Sequence, residues 1–409
     1  MRILVQKFGG TSLSTAEARE HAIKHIRRAL DEQYALVVVV SAMGRRGDPY
    51  ATDTLLQLMG ENGNALPIRE RDMLLACGEM ISAATLCSLL QSGGIPAVAL
   101  TGAQAGIVTT DDYGNARITD IQTERIEQYL NQGKVVIVTG FQGAAPNGDF
   151  TTLGRGGSDT SATALGAALR AECVDIFTDV DGVLTADPRI VTDAKPLTRV
   201  SYAEICNMAN NGAKVIHPRA VEIAMAADIP VRVRSTFSDS EGTLVTNAST
   251  LQRLKEPVPD RLITGIAHVT NVSQVSVQAA EGQYDLQLRV FKAMAHNGIS
   301  VDLINVTPSG VAYTVFDSEA ERAAALLKEL GYEPRIVPDC AKVSVIGGGM
   351  NGVPGVMATI IEALTEENVG ILQSADSNTT IWVLVRASDT AKAVNALHRK
   401  FQLHLSIRH

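Results

Sequence analysis

Apolar residues in this chain come in short dense runs, separated by stretches in which they recur every third or fourth position. The runs Ile3-Leu4-Val5, Ala35 to Val40, Ala97 to Leu100, Lys134 to Val138, Val174 to Thr178 and Val231 to Val233 predict strands. Stretches 15–32, 69–92, 158–170 and 218–227 carry the period of amphipathic helices. Val37-Val38-Val39-Val40 has no polar face, so it suits a strand covered on both sides. Strand and helix in alternation predict a three-layer α/β/α domain with a mainly parallel central sheet.

The pattern lapses at 247–261, which is polar and contains Pro257 and Pro259, and is read as a linker. Beyond it the pattern repeats. Val290 to Phe316 matches Ile360 to Arg386 at a constant offset of 70 residues, pairing Val290 with Ile360, Met294 with Leu364 and Tyr313 with Val383. The opening strands, Gln274 to Val277 and Lys342 to Val345, fit an offset of 68. Each copy reads as a ferredoxin-like βαββαβ unit. The predicted organisation is an α/β domain over 1–246, the linker, and two such modules in tandem over 262–338 and 339–409. The last run, Phe401 to Ile407, alternates well enough for a strand that completes a neighbouring sheet.

Composition narrows the partners. A net charge of −8 without long basic clusters argues against nucleic acid and favours small molecules. No stretch reads as a membrane span and the N-terminus does not read as a signal peptide, so no membrane partner and a cytoplasmic location are expected. Five cysteines without a CxxC pair read as reduced core thiols. His21 and His25, four apart on a helix, read as an exposed polar face, and no metal-ligand set stands out.

Three polar loops carry candidate chemistry. Lys7-Phe8-Gly9-Gly10-Thr11-Ser12 joins the first strand to a helix; it suits an anion held by backbone N–H groups and a lysine, or a merely tight turn. It is not a GxxxxGK[ST] loop. Gly154-Arg155-Gly156-Gly157-Ser158-Asp159-Thr160-Ser161 contains more glycine than helix capping requires. Arg155 there offers a fork for a carboxylate, and Asp159 could orient Lys7 or a substrate ammonium. Thr178-Asp179-Val180-Asp181-Gly182, continuing to Leu184-Thr185-Ala186-Asp187-Pro188-Arg189, follows a strand. It lacks the EF-hand spacing and reads as a nucleotide loop.

Together with Ser41-Ala42-Met43-Gly44, Gly78-Glu79, Gly140-Phe141-Gln142-Gly143 and Lys214 in Gly-Ala-Lys-Val-Ile-His-Pro, these loops resemble the amino-acid kinase family, in its aspartokinase branch. The resemblance runs from residue 2 to about 404, and the repeats resemble paired ACT domains. It implies transfer of the ATP γ-phosphoryl group to the β-carboxylate of L-aspartate, with magnesium arriving on the ATP phosphates. Lys7, Gly9, Gly10 and Asp159 would then serve catalysis. Ser41, Thr52, Glu79, Phe141, Arg155 and Ser158 would bind aspartate, Glu79 holding its ammonium and Arg155 its α-carboxylate. ATP would meet Lys7, Phe8, Gly9, Gly10, Thr178, Asp179, Leu184, Thr185, Ala186, Asp187, Pro188, Arg189 and Lys214. An amino-acid effector (diaminopimelate, lysine or threonine) would bind the ACT domains, through which a homodimer or higher homo-oligomer would form. Arg45 to Ala51 departs from the commonest pattern as an insertion, of a kind that resembles diaminopimelate-sensitive Gram-positive members.

Overall fold

The computed structural model describes residues 1–59, 66–213, 215–247, 250, 262–279, 285–350 and 352–405. Most of the expected linker, Lys214 and the end of the last run lie outside the described residues. Contacts divide the chain into two units. The first comprises 1–183, 196–209 and 214–258; the second comprises 184–195, 210–213 and 259–409. Two short segments of the expected 1–246 domain therefore cluster with the C-terminal unit.

In the first unit an eight-stranded sheet runs in the order Arg199–Ser201, Thr243–Thr246, Val231–Ser235, Cys173–Thr178, Ile3–Phe8, Ala35–Val40, Val135–Thr139, Ala97–Leu100. The six strands from Val231–Ser235 to Ala97–Leu100 are parallel. The expected strands thus form one α/β sheet, and Val37 to Val40 are wholly buried. The helix Ile68–Ser92 is apolar and long enough to cross a membrane by composition, contrary to the reading from sequence. It packs on the sheet and carries Asp72, Leu75, Ala76, Glu79, Ser82, Ala83 and Leu86 on its buried face.

His25 also departs from expectation. It is 4% exposed, its Nε2 lies 3.0 Å from the Thr236 carbonyl, and its ring leans on Phe177. Burial lowers its pKa.

The repeats fold with the expected periodicity but are nested rather than tandem. Leu286–His296 answers Val356–Glu366, and Gly310–Phe316 answers Thr380–Arg386. Their strands form one six-stranded sheet, Asp302–Thr307, Gly310–Phe316, Gly265–Gln278, Arg335–Ile346, Thr380–Arg386, Gln373–Asp376. Two long strands serve both copies. Arg335 to Val337 closes the first copy against Gln274 to Ser276, while Gly265 to Val269 pairs with Lys342 to Ile346 and closes the second. The second copy's last strand therefore precedes the first copy in sequence, and Phe401 to Leu405 is turn and bend, not strand. Ile263 and Ile266 accordingly join the core of the second copy.

Within the first unit the Cys173–Thr178 and Val231–Ser235 strands are joined by charge as well as backbone. Fully buried Asp175 accepts from Arg232 at 2.7 and 3.0 Å, and Arg234 stands 3.6 Å away. Removing the anion leaves buried guanidinium charge unpaired, which typically costs about 3–5 kcal/mol. Asp175→Asn is expected to lower the unfolding free energy, measured by urea titration, by that order. A loss below about 1 kcal/mol, the range of a surface pair, would show that the cluster does not hold these strands.

Candidate active site

The chain places its first strand at the centre of the parallel sheet, with Ala35–Val40 on one side and Cys173–Thr178 on the other. At such a switch point the loops leaving the carboxyl ends part, and ligands bind in the crevice between them. The loops after Phe8, Val40, Thr139 and Thr178 all leave that edge.

They are packed tightly on one another. Ser41 N–H donates to the Phe8 carbonyl at 3.1 Å, and Gly44 N–H donates to the Gly10 carbonyl at 3.0 Å. A Cβ on Gly10 would stand 2.7 Å from the carbonyl oxygens of both Ala42 and Gly44, so only glycine fits. On the other loop Gly156 has φ +68°, and a Cβ there would strike the His217 ring at 2.1 Å. It starts the helix Gly157–Ala168, whose first-turn N–H groups have no helical partner and whose dipole favours an anion.

The two loops meet in an ion pair. Lys7 Nζ lies 2.7 Å from Asp159 Oδ1, each side chain 13% exposed. Asp159 Oδ2 accepts from His217 N–H at 3.3 Å. The ammonium thus sits at the end of the central strand, beside Gly9 and the helix start that bears Ser158.

Glu79 is the buried carboxyl of the site. It is 2% exposed and accepts from Ala42 N–H through Oε1 at 3.0 Å. Its Oε2 is buried without a partner among the described residues. Burial pushes its pKa up to about 8, partly offset by the Ala42 N–H. A buried oxygen left unanswered costs stability unless a ligand supplies the donor.

The other expected residues divide. Phe141 holds φ +67°, unusual for a non-glycine, with its N–H donating to Ser161 Oγ at 3.1 Å. Ser158 is 9% exposed, Arg155 is exposed, and Ser41 and Thr52 are half-buried, Thr52 opening the short Thr52–Gln57 helix. The Thr178 hydroxyl donates to Asp179 Oδ1 at 3.1 Å, and Asp179 Oδ2 accepts from Arg45 at 2.5 Å.

Phe8 corrects its assignment. Its ring is fully buried and stacked on Phe177 at 4.7 Å, so only its backbone faces the loops. Leu184, Thr185, Ala186, Asp187, Pro188 and Arg189 belong by contact to the second unit. There Ala186 joins a hydrophobic core, Thr185 is bonded to His398 at 2.9 Å, and Asp187 pairs with Arg189 at 2.6 Å.

Sequence reasoning missed His217, whose backbone steadies Asp159; the motif holding it was read only for Lys214. It also missed Arg45, hidden in an insertion, and Thr236, whose hydroxyl meets Ser12 Oγ at 2.6 Å.

Comparison with known proteins identifies the family. The family model for the amino acid kinase family matches residues 2–235, and one for the ACT domain matches 335–399. Aspartokinase 1 of Bacillus subtilis is 56% identical over 403 residues, covering 98% of this chain and 100% of that one. The structure of E. coli aspartokinase III in complex with aspartate and ADP (R-state) is 28% identical with a TM-score of 0.79, covering 98% of this chain and 99% of that one. The same enzyme with lysine and aspartate (T-state) is 27% identical with a TM-score of 0.75, at the same coverage.

The raised pKa of Glu79 makes a prediction about stability. With a folded pKa of about 8, above its unfolded value, the folded protein keeps a proton that the unfolded chain has lost. Glu79 therefore makes stability fall as pH rises from about 4.5 to about 8, by about 1.4 kcal/mol per unit at most. Glu79→Gln keeps an acceptor for Ala42 N–H and cannot ionise, so its melting temperature should overtake the wild type's across that window. Parallel pH profiles for the two proteins would refute the buried, unpaired carboxylate.

Proposed function

We infer the function from family membership and the charges of the site: the chain belongs to the amino acid kinase family and, within it, to the aspartokinases. It transfers the γ-phosphoryl group of ATP to the β-carboxylate of L-aspartate, giving 4-phospho-L-aspartate and opening the aspartate pathway. The observation that carries the site assignment is the buried Glu79 carboxylate with an unanswered oxygen, on the same sheet edge as the Lys7–Asp159 pair.

A carboxylate acceptor is already ionised at neutral pH, so the reaction needs positioning and charge stabilisation rather than a general base. In this reading the aspartate ammonium docks on Glu79 Oε2, and the Glu79 carboxyl releases its proton to solvent, because a cation at contact favours the charged carboxylate. Exposed Arg155 takes the α-carboxylate, with Ser41, Thr52, Phe141 and Ser158 framing the side chain. Lys7 follows the transferring phosphoryl while Asp159, steadied by the His217 N–H, holds its ammonium in line. Gly9, Gly10 and the Gly157–Ala168 helix start add backbone N–H donors. Thr178 and Asp179 serve the nucleotide, with Lys214 and the 184–189 segment assigned to it by resemblance alone.

Magnesium fits as a passenger on the ATP phosphates. Asp159 and Asp179 are already engaged by Lys7 and Arg45, and the ion supplies charge neutralisation at the phosphates.

The second unit is regulatory, through its ACT domains. We assign it an amino-acid effector, with diaminopimelate ahead of lysine and threonine, and a homodimeric assembly through the repeats. Activity titrations with each amino acid, alone and in pairs, identify the effector. A cytoplasmic location follows from the substrates and the unpatterned cysteines.

Lys7→Ala should lose at least about two orders of magnitude in turnover, the cost of one well-placed donor to developing negative charge, while its far-UV circular dichroism stays unchanged. Near-normal turnover in this variant would refute the assigned role of Lys7.

A further inference from the structure

The second unit carries a cluster that neither the phosphoryl transfer nor the effector reading uses. Asp193, His398 and His404 each offer a ligand atom, and these atoms lie within 4.8 Å of one another.

The backbone explains how they meet. The helix Thr390–Lys400 ends in a left-handed cap: Gln402 has φ +54°, its N–H donates to the Arg399 carbonyl at 2.9 Å, and Leu403 N–H donates to the His398 carbonyl at 3.0 Å. This pair of bonds closes a Schellman turn, and buried Leu403 pins it to the core of the second repeat. The turn brings the His404 ring to 6.3 Å from that of His398. The upstream segment is tied to the same helix by Asn395, which donates to the Ile190 carbonyl at 3.1 Å, and Asp193 Oδ1 stands 3.9 Å from His398 Nδ1.

The histidines are poised rather than merely packed. His398 is fully buried, and its Nε2 is bonded to Thr185 Oγ1 at 2.9 Å, which leaves Nδ1 for a ligand. Thr185 Oγ1 is itself fixed by Lys195 N–H at 2.9 Å. Nδ1 of His398 and Nδ1 of His404 are both buried without a hydrogen-bond partner among the described residues. Asp193 is 53% exposed, so one side of the cluster is open for an ion to enter.

We propose that Asp193, His398 and His404 form a binding site for a divalent transition-metal ion of the zinc type, with water as the fourth ligand. Two imidazoles and one carboxylate suit zinc or cobalt, whereas magnesium and calcium take oxygen ligands. Ligand distances of about 2.0–2.2 Å require the exposed Asp193 to close slightly on His398. With Nδ1 on the metal, the His398 Nε2–H donates to Thr185 Oγ1 and so orients the ring, as partners of metal-bound histidines do. The bound ion would fasten the 184–195 segment to the C-terminal helix of its own unit.

The test is a Co2+ titration of the full-length, tag-free, nucleotide-free protein, followed by visible absorption. The expected result is one Co2+ per chain with the strong bands of a four-coordinate site, displaced by Zn2+. Asp193→Asn and His404→Gln, both near the surface, should each weaken binding at least about tenfold, and Thr185→Val about 10–100-fold. His21→Gln should leave it unchanged. No bound cobalt, a six-coordinate spectrum, or binding unaltered in the Asp193→Asn/His404→Gln double variant would overturn the proposal.

Discussion

The ion pair between Lys7 and Asp159 is the constraint on which the catalytic end of the molecule depends. It joins the end of the central strand to the start of the Gly157–Ala168 helix, and so ties together the two glycine loops that flank them. Its partners are 13% exposed, sheltered enough for the charges to be felt and open enough for a phosphate to compete. The glycines around it serve that arrangement: Gly10 lets the Ala42–Gly44 loop close in, and Gly156 accommodates the His217 ring.

Buried carboxylates of this unit show how structure separates from function. Asp72 is wholly buried and accepts from Gly114 N–H at 2.8 Å, Thr152 N–H at 2.7 Å and the Thr152 hydroxyl at 2.8 Å. Asp175 is matched by two arginines. Both are satisfied within the fold, and both serve to fasten elements. Glu79, two turns along the same helix from Asp72, has one N–H for two oxygens. Fully satisfied networks rigidify a core, whereas a half-satisfied one is costly and survives where a ligand completes it.

The sheet was legible because its strands are short β-branched runs buried on both faces, where hydrophobicity alone sets the pattern. The Ala35–Val40 and Ala97–Leu100 strands have the bounds the pattern assigns. The 70-residue repeat was legible for the same reason: Val290, Ile360, Tyr313 and Val383 are all fully buried. Nesting was not, because periodicity reveals which segments are strands and not which edge they join. Gly265 to Val269 therefore read as part of the first copy although it pairs with Lys342 to Ile346. In the candidate site, Lys7 and Asp159 were named from glycine-rich loops and Glu79 from a helix, all through a resemblance that rests on the residues themselves. His25 was misjudged because a residue type does not reveal which way its side chain turns. Arg45 and His217 act through a single contact each, which no spacing announces.

The central claim is that Glu79 waits, protonated, for the ammonium of aspartate. Calorimetric titration of L-aspartate into the protein at pH 7, in two buffers of different ionisation enthalpy, counts the protons exchanged on binding. With Glu79 ionising near pH 8 when free and charged when bound, the account predicts release of close to one proton per chain, and none in Glu79→Gln. Binding without proton release, or the same release in the variant, would contradict it.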